Sequence, residues 1–322
     1  MRVIFMGTPD FAVPSLLALA EMAEVEIVGV VTRPDKPVGR SPTPQPPPIK
    51  VAALARGLPV LQPGSLRKRP AQEALAALTP AVIVVAAFGQ ILPPEVLALP
   101  PHGCLNVHAS LLPKYRGASP IASAILAGDA ATGNTIMRMD VGLDTGDIIT
   151  QGAIPIAPDD TTPTLTAKLA EHGAALLART LPGWVAGTLT ATPQEAAQAT
   201  MTRLIHKDDA TIDWALSAEV IARRVRAFTP WPGTQTMWRG QPLRLIAAHA
   251  LPPAESPPLP SAIPDAQGTV VAWGRGNAHV AVVCGDHTLL ELDVLQLPAK
   301  RAAAAADVVR GQPALIGATL PA

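Results

Sequence analysis

The sequence has little cysteine, few aromatic residues and no net charge. Its two cysteines among 322 residues, Cys104 and Cys284, lie far apart, which excludes a disulfide framework and indicates a reducing compartment. The 25 basic residues equal the 25 acidic ones, so a polyanion would have to meet a local basic patch. No apolar run reaches the roughly 20 residues of a membrane span, and no signal-type segment opens the chain. We therefore expect a soluble, cytoplasmic protein that does not contact a membrane.

The common signatures for nucleotide phosphates and metals are also missing. No GxxxxGK[ST] motif occurs, and the GTPD sequence at Gly7–Asp10 is not GxGxxG, so a nucleotide cofactor has little support. The two cysteines are isolated, and His102 and His108 do not form a helical pair. We expect no metal.

Alternating apolar segments predict the fold of the first part of the chain. Arg2–Met6 and Val25–Val31 read as strands, with the helical pattern of Phe11–Leu19 between them, which is a βαβ unit and predicts a parallel sheet. Ala81–Ala87 is apolar at every position, as expected for a strand covered by helices on both faces. With further strands at 103–108 and 134–139, the pattern predicts an α/β domain with a doubly wound, Rossmann-like parallel sheet.

Proline-rich and polar stretches mark a loop and a domain boundary. Residues 32–48 carry many of the chain's 36 prolines, so we expect an extended surface loop there. Beyond a helical pattern at Ala218–Phe228, five short strand-like segments separated by Gly, Pro and Asp predict a small OB-like β-barrel. We expect a catalytic domain at 1–188, a linker at 189–203 and a smaller C-terminal domain at 204–322.

The strand at Gly103–His108 carries the candidate chemistry. Asn106 and His108 are two residues apart, so their side chains lie on one face, at the carboxyl end of a strand where open α/β sheets place their sites. In the glycine-bracketed turn that follows the next strand, Asp144 is placed to hydrogen-bond His108 and favour its charged form. From these residues alone, purely structural roles remain open: Asn106 and His108 as hydrogen-bonded side chains at the end of a strand, and Asp144 as an ordinary turn residue. Cys104 reads as a small core residue rather than a nucleophile.

Several longer segments are recognisable by their sequence: MGTPDFA at 6–12, RPDKPVGR at 33–40, VVAAFGQILP at 84–93, NVHASLLP at 106–113, MDVGLDTGD at 139–147, IDW at 212–214 and RAFTPWPG at 226–233. Together they resemble the methionyl-tRNA formyltransferases, within the wider group of 10-formyltetrahydrofolate-dependent formyltransferases. The resemblance covers nearly the whole chain.

The resemblance implies transfer of a formyl group from 10-formyltetrahydrofolate to the α-amine of methionine on initiator Met-tRNA, without a metal. The partners would be that tRNA and the folate co-substrate, and we expect a monomer. It implies catalytic roles for Asn106, His108 and Asp144. It implies folate contacts from two segments, Ser110, Leu111, Leu112 and Pro113, and Phe88, Gly89, Gln90, Ile91 and Leu92. With the basic patches of the sequence, it implies tRNA contacts from Arg33, Lys36, Arg40, Lys207, Arg223 and Arg224.

Two other functions remain open from the sequence. The same three catalytic residues would serve a formyltransferase that acts on an amino-sugar nucleotide or another small amine. A catalytically silent tRNA-binding module is the other alternative, and the complete Asn–His–Asp set argues against it. The loop after Arg40 has fewer basic residues than is usual in this family, so tRNA binding loses phosphate contacts there.

Overall fold

The computed structural model describes residues 1–37, 39, 42–252, 254–255 and 266–321. The chain forms two compact units. The first comprises Met1–Ile121, Ala130–Ile156 and Leu165–Arg203, and the second comprises Ala122–Asp129, Ala157–Thr164 and Leu204–Ala322. Among the described residues, no helix is both long and apolar enough to cross a membrane.

The first unit is built on a seven-stranded sheet of order β10-β9-β7-β6-β1-β2-β5. Its strands β5, β1, β2, β6 and β7 run parallel, whereas β9 runs antiparallel to both β7 and β10. Two further strand pairs, β3 with β4 and β8 with β11, lie outside this sheet. In chain order the strands are β1 Arg2–Gly7, β2 Glu26–Val31, β3 Lys36–Pro37, β4 Pro44–Gln45, β5 Val60–Leu61, β6 Val82–Ala86, β7 Cys104–His108, β8 Arg116–Gly117, β9 Ala131–Arg138, β10 Ile148–Pro155 and β11 Met201–Thr202.

Prolines begin many of the helices, which accounts for part of the high proline content. A proline in the first helical turn costs no hydrogen bond, because the amides of that turn have no partner inside the helix. Helices α1 to α4 each carry one there. The helices are α1 Val13–Glu21, α2 Pro48–Ala55, α3 Arg69–Ala77, α4 Pro94–Leu97, α5 Pro120–Ala127, α6 Thr162–Val185, α7 Ala218–Ala227 and α8 Ala305–Gly311. Short 3-10 helices lie at Asp10–Ala12, Ala196–Gln198, Lys207–Ala210 and Pro313–Leu315.

The central strands of the first unit are almost entirely buried. Every residue of β6 is buried, as predicted for a strand covered on both faces. One side of the sheet packs in a cluster that includes Ile4, Ile83 and Phe88. Burying each such side chain stabilises the fold by about 1.5–3 kcal/mol.

The second unit is an antiparallel sheet of order β12-β13-β16-β15-β14, with β17 paired to β16. Its strands are β12 Thr234–Trp238, β13 Gln241–Ala250, β14 Val270–Trp273, β15 His279–Val283, β16 Leu289–Gln296 and β17 Ala303–Ala304. Helix α7 packs its apolar side, including Ile221 and Val225, into the core of this sheet together with Trp214.

The predicted fold class is confirmed, with differences in detail. The sheet of the first unit is not wholly parallel, because an apolar run predicts burial and not strand direction, and β9 returns antiparallel to β7. The proline-rich stretch at 32–48 is not entirely extended loop, since β3 pairs with β4 and α2 begins at Pro48. The domain boundaries at 188 and 203 remain a proposal. Residues 189–203, which we call the connecting segment, belong to the first unit.

Candidate active site

Strand β7 presents Asn106 and His108 on one face and Val107 on the other. Val107 lies against Gly173 of α6. If Gly173 carried a Cβ atom, that atom would be only 2.9 Å from Cγ1 of Val107. Asn106 is half-buried and His108 is 6% exposed. The alternation along a strand thus places the amide and the imidazole toward the loops that follow β7 and β9.

His108 is held from two sides. Its Nε2 atom lies 3.1 Å from the carbonyl oxygen of Tyr115, and its Nδ1 atom lies 3.7 Å from Oδ2 of Asp144. Because a carbonyl oxygen only accepts, Nε2 carries the proton, and neutral His108 has its lone pair on Nδ1. Burial lowers the pKa of His108, and this effect outweighs the negative charge of Asp144 and the Tyr115 carbonyl, which both raise it. Neutral His108 is therefore the resting form at neutral pH.

Asp144 lies in a tight turn, and its carboxylate accepts hydrogen bonds from two donors. Its Oδ2 atom accepts from the backbone N–H of Gly117 over 2.9 Å, and its Oδ1 atom accepts from Nδ2 of Asn106 over 3.4 Å. Its backbone has φ +53°, a left-handed conformation that few residues other than glycine adopt. The sequence led us to expect a hydrogen bond to His108 and a charged imidazole. The structure differs, because 3.7 Å is too long for that bond and burial disfavours the cation.

Four groups around this site were missed by sequence reasoning. They are the Tyr115 carbonyl, the Gly117 amide, and the side chains of Gln194 and Thr200, which contact the loops of Asp144 and Tyr115. Two are backbone groups, which have no residue-type signal. The other two lie about 50 to 85 residues along the chain from their partners.

The predicted folate segment Ser110–Pro113 directly follows β7 and is firmly anchored. Ser110 is fully buried and its hydroxyl donates to the Lys114 carbonyl over 2.6 Å. The N–H of Leu112 donates to Oγ1 of Thr135 over 3.1 Å, and the Leu112 carbonyl accepts from Gln151 over 2.8 Å. Leu112 is buried, Leu111 is half-buried and the Leu112–Pro113 peptide is cis.

The other predicted folate segment, Phe88–Leu92, follows the neighbouring parallel strand β6, so the two segments begin at the same edge of the sheet. Phe88 and Leu92 are buried, whereas Ile91 is 70% exposed. Gln90 accepts from the N–H of Leu66 and donates to the Pro63 carbonyl, both over 3.3 Å. Gly89 has φ +79°, and a Cβ atom there would lie 3.5 Å from the guanidinium of Arg33.

Comparison with protein families and known proteins identifies the family of this chain. Residues 1–181 match the family model described as formyl transferase, and residues 204–313 match the model for the formyl transferase C-terminal domain. The chain belongs to the formyl transferase family. It is 47% identical over 313 residues to the methionyl-tRNA formyltransferase of a Roseiflexus species, covering 97% of this chain and 92% of that one. It is 52% identical over 252 residues to the enzyme of that name from Chloroflexus aggregans, covering 78% and 81%.

The fold is also found among solved formyltransferases. An N-formyltransferase from Helicobacter canadensis, crystallised with folinic acid and dTDP-3-aminofucose, aligns with a TM-score of 0.67 at 18% identity. The alignment covers 91% of this chain and 98% of that one. At this identity, the likeness concerns the fold.

The basic residues predicted to bind tRNA lie in both units of this formyl transferase. In the first unit, Arg33 is half-buried against Gly89, Lys36 is exposed in β3, and Arg40 lies outside the described residues. In the second unit, Lys207 is exposed in a 3-10 helix. Their role toward tRNA remains a prediction.

The other two predicted tRNA-binding residues, both in α7, have internal partners. Arg223 donates from Nη1 to the Ala127 carbonyl over 3.0 Å, and its side chain is 20% exposed. Arg224 donates from Nη2 to the carbonyls of Asp209 and Thr211, over 3.0 and 3.2 Å. Each guanidinium group therefore makes at least one hydrogen bond within the second unit, and its role toward tRNA stays a prediction.

Both cysteines are buried in apolar surroundings. Burial raises the pKa of the Cys104 thiol to about 12, and Cys284 has the same value. Both thiols therefore stay protonated at neutral pH, and a thiol is a poor nucleophile in that form.

Proposed function

We propose that this protein transfers the formyl group of 10-formyltetrahydrofolate to the α-amine of methionine on initiator Met-tRNA. The observation that carries the proposal is the 47% identity over 97% of the chain to a methionyl-tRNA formyltransferase. The cluster of Asn106, His108 and Asp144 supplies the groups that formyl transfer requires. We further propose a cytoplasmic monomer.

His108 is proposed to accept the proton that the attacking amine loses. Its Nε2–H group is occupied by the Tyr115 carbonyl, so the basic atom is Nδ1. Burial keeps the imidazole neutral before reaction, and the carboxylate of Asp144, 3.7 Å away, stabilises the imidazolium that forms. The interaction is therefore stronger in the transition state than in the ground state, which is the condition for raising kcat.

Asn106 is proposed to stabilise the formyl oxygen, which gains negative charge when the amine attacks. Its Nδ2 group makes only a long contact to Asp144, 3.4 Å, so it loses little by turning to that oxygen. Removing one such donor typically costs about 2.7–4 kcal/mol of transition-state stabilisation.

The protons and electron pairs of this reaction balance without a further reagent. The bond from the amine nitrogen to the formyl carbon forms, and the bond from that carbon to N10 of the folate breaks. His108 takes the amine proton at Nδ1 and returns a proton, directly or through water, to the departing N10.

We also propose where the two co-substrates, the folate and the tRNA, bind. We propose that the folate binds between the two segments at the edge of the sheet, Phe88–Leu92 and Ser110–Pro113. Exposed Ile91 offers an apolar contact to the pterin, and Gly89 allows its close approach. The tRNA is assigned to Arg33, Lys36, Arg40, Lys207, Arg223 and Arg224.

The proposal is tested by offering purified protein 10-formyltetrahydrofolate with initiator Met-tRNA, and separately with an amino-sugar nucleotide. We expect formyl-Met-tRNA and no formylated sugar. Formylation of the sugar alone would favour the small-amine alternative. Binding of Met-tRNA with no turnover in either reaction would instead favour a silent binding module.

A further inference from the structure

The connecting segment (residues 189–203) contacts both loops that hold His108. One of these loops carries Asp144, and the other carries the Tyr115 carbonyl. The segment also adds β11, whose residues Met201 and Thr202 pair in parallel with β8, directly after Tyr115.

Gln194 contacts both loops through one amide group. Its Nε2 atom donates to the carbonyl of Asp144 over 2.9 Å and to that of Gly146 over 2.7 Å. Its Oε1 atom accepts from Nε of Arg116 over 2.9 Å. Gln194 therefore links the turn of Asp144 to the residue next to Tyr115.

Thr200 contacts the Tyr115 loop at three residues, Pro113, Tyr115 and Arg116. Its hydroxyl accepts from the N–H of Tyr115 over 2.8 Å, and its carbonyl accepts from the N–H of Arg116 over 2.8 Å. Its own N–H donates to the Pro113 carbonyl over 3.2 Å.

The two residues held in this way have unfavourable backbone conformations. Tyr115 has φ +61° and Asp144 has φ +53°, in the left-handed region that costs non-glycine residues energy. Such conformations persist only where surrounding contacts impose them, and Gln194 and Thr200 supply contacts at both places.

We propose that Gln194 and Thr200 are positioning residues that set the orientation of His108 for formyl transfer. Gln194 acts through Asp144, and Thr200 acts through the Tyr115 carbonyl. The expected effects on kcat and KM rest on the proposed function, because they assume formyl transfer to Met-tRNA. Neither residue has to touch the substrates.

The kinetic test compares variants within the connecting segment. Gln194→Glu keeps the shape and the oxygen facing Arg116 but removes both donors, and Gln194→Ala removes the whole group. We expect kcat to fall about 10- to 100-fold in both, with each KM within about twofold of wild type, because small displacements of a reacting group are costly. The matched control is Gln198→Ala, an exposed glutamine of the same segment whose side chain donates to Glu195, and it should retain wild-type kinetics.

Thr200 offers a second test, in which the substitution removes a single hydroxyl group. Thr200→Val removes the hydroxyl and should lower kcat several-fold, whereas Thr200→Ser keeps it and should restore kcat. An unchanged kcat in Gln194→Glu and Thr200→Val, or a change confined to the KM for tRNA, would overturn the inference.

A measurement independent of turnover separates this inference from the proposed function. In ¹⁵N-histidine-labelled protein, the His108 ring is assigned by its absence from the His108→Ala spectrum and titrated. Asp144 and the Tyr115 carbonyl both raise the pKa of His108, so displacing either should lower that pKa further in the uncharged variants Gln194→Ala and Thr200→Val. Unaltered titration and tautomer would refute the positioning role, even if the wild-type protein proved inactive on Met-tRNA.

Discussion

The Nε2–H group of His108 donates to the carbonyl oxygen of Tyr115 over 3.1 Å. This bond decides which nitrogen of the imidazole is available for chemistry, because it leaves the lone pair on Nδ1, toward Asp144. Tyr115, which supplies the carbonyl, has a left-handed backbone with φ +61°.

His108 should be required for turnover but not for folding. We expect His108→Ala to lower kcat about 10²- to 10⁴-fold, the usual contribution of a positioned acid–base group. Steady-state formylation of Met-tRNA gives kcat, and circular dichroism checks the fold. His102→Ala, six residues earlier, is the matched control. Normal turnover by the His108 variant would refute the assignment.

Asn106 should act on kcat rather than on binding. We expect Asn106→Ala to reduce kcat about 10²- to 10³-fold with small changes in both KM values, because its amide is needed only as charge develops on the formyl oxygen. Single-turnover measurement of the chemical step checks this. A rise in the KM for folate with unchanged kcat would mean that Asn106 serves ground-state binding instead.

The carboxylate of Asp144 should govern the pH dependence of turnover. The pKa of His108 lies below its ordinary value of about 6.5, so its contribution to kcat should grow as pH rises through that lowered pKa and level off above it. Asp144 raises this pKa, so Asp144→Asn should move the inflection to still lower pH. It should also reduce the plateau, since the imidazolium loses its counter-charge.

The α-amine titrates as well, with an ordinary pKa of about 8. The comparison of Asp144→Asn with wild type, each measured from pH 5 to 8, therefore reports on His108. An inflection that moves to higher pH in the variant would contradict the assignment.

His172 should make the fold sensitive to acid. Its Nδ1 atom lies 2.9 Å from Oδ1 of Asn134, and burial, followed by the positive charge of Arg179, lowers its pKa. The unfolded chain therefore binds more protons, and the free energy of unfolding should fall as pH drops below about 6.5 and through the lowered pKa. We expect His172→Gln to flatten this dependence in urea unfolding between pH 7.5 and 5. Parallel curves for the two proteins would disprove it.

Lys36 should contribute to tRNA binding through phosphate. It is exposed in β3, so Lys36→Glu should raise the KM for Met-tRNA, leave the KM for folate unchanged and reduce the slope of log KM against log salt by about one. Lys68→Glu, an exposed lysine before α3, is the control. An equal effect of both substitutions would indicate general charge rather than a contact.

The sequence by itself determined the local features of this protein. Alternating and fully apolar runs predicted the ends of strands β1, β2, β6 and β7 to within one or two residues. This works because burial of one or both faces of a strand depends on the types of neighbouring residues in the sequence. The same alternation placed Asn106 and His108 on one face. Local motifs, among them those at 106–113 and 139–147, indicate the family.

Only the tertiary structure decided how those residues are held. Strand direction at β9, the internal partners of Arg223 and the contact from Thr200 to Tyr115, 85 residues apart, depend on chain segments that meet only after folding. The protonation state of His108 also depends on the folded structure. His108 lies in β7, whereas its two partners, the Tyr115 carbonyl and Asp144, lie in the loops after β7 and β9. A sequence pattern records which residues prefer to be buried, whereas the pKa and tautomer of a side chain depend on the distances to its neighbours in space.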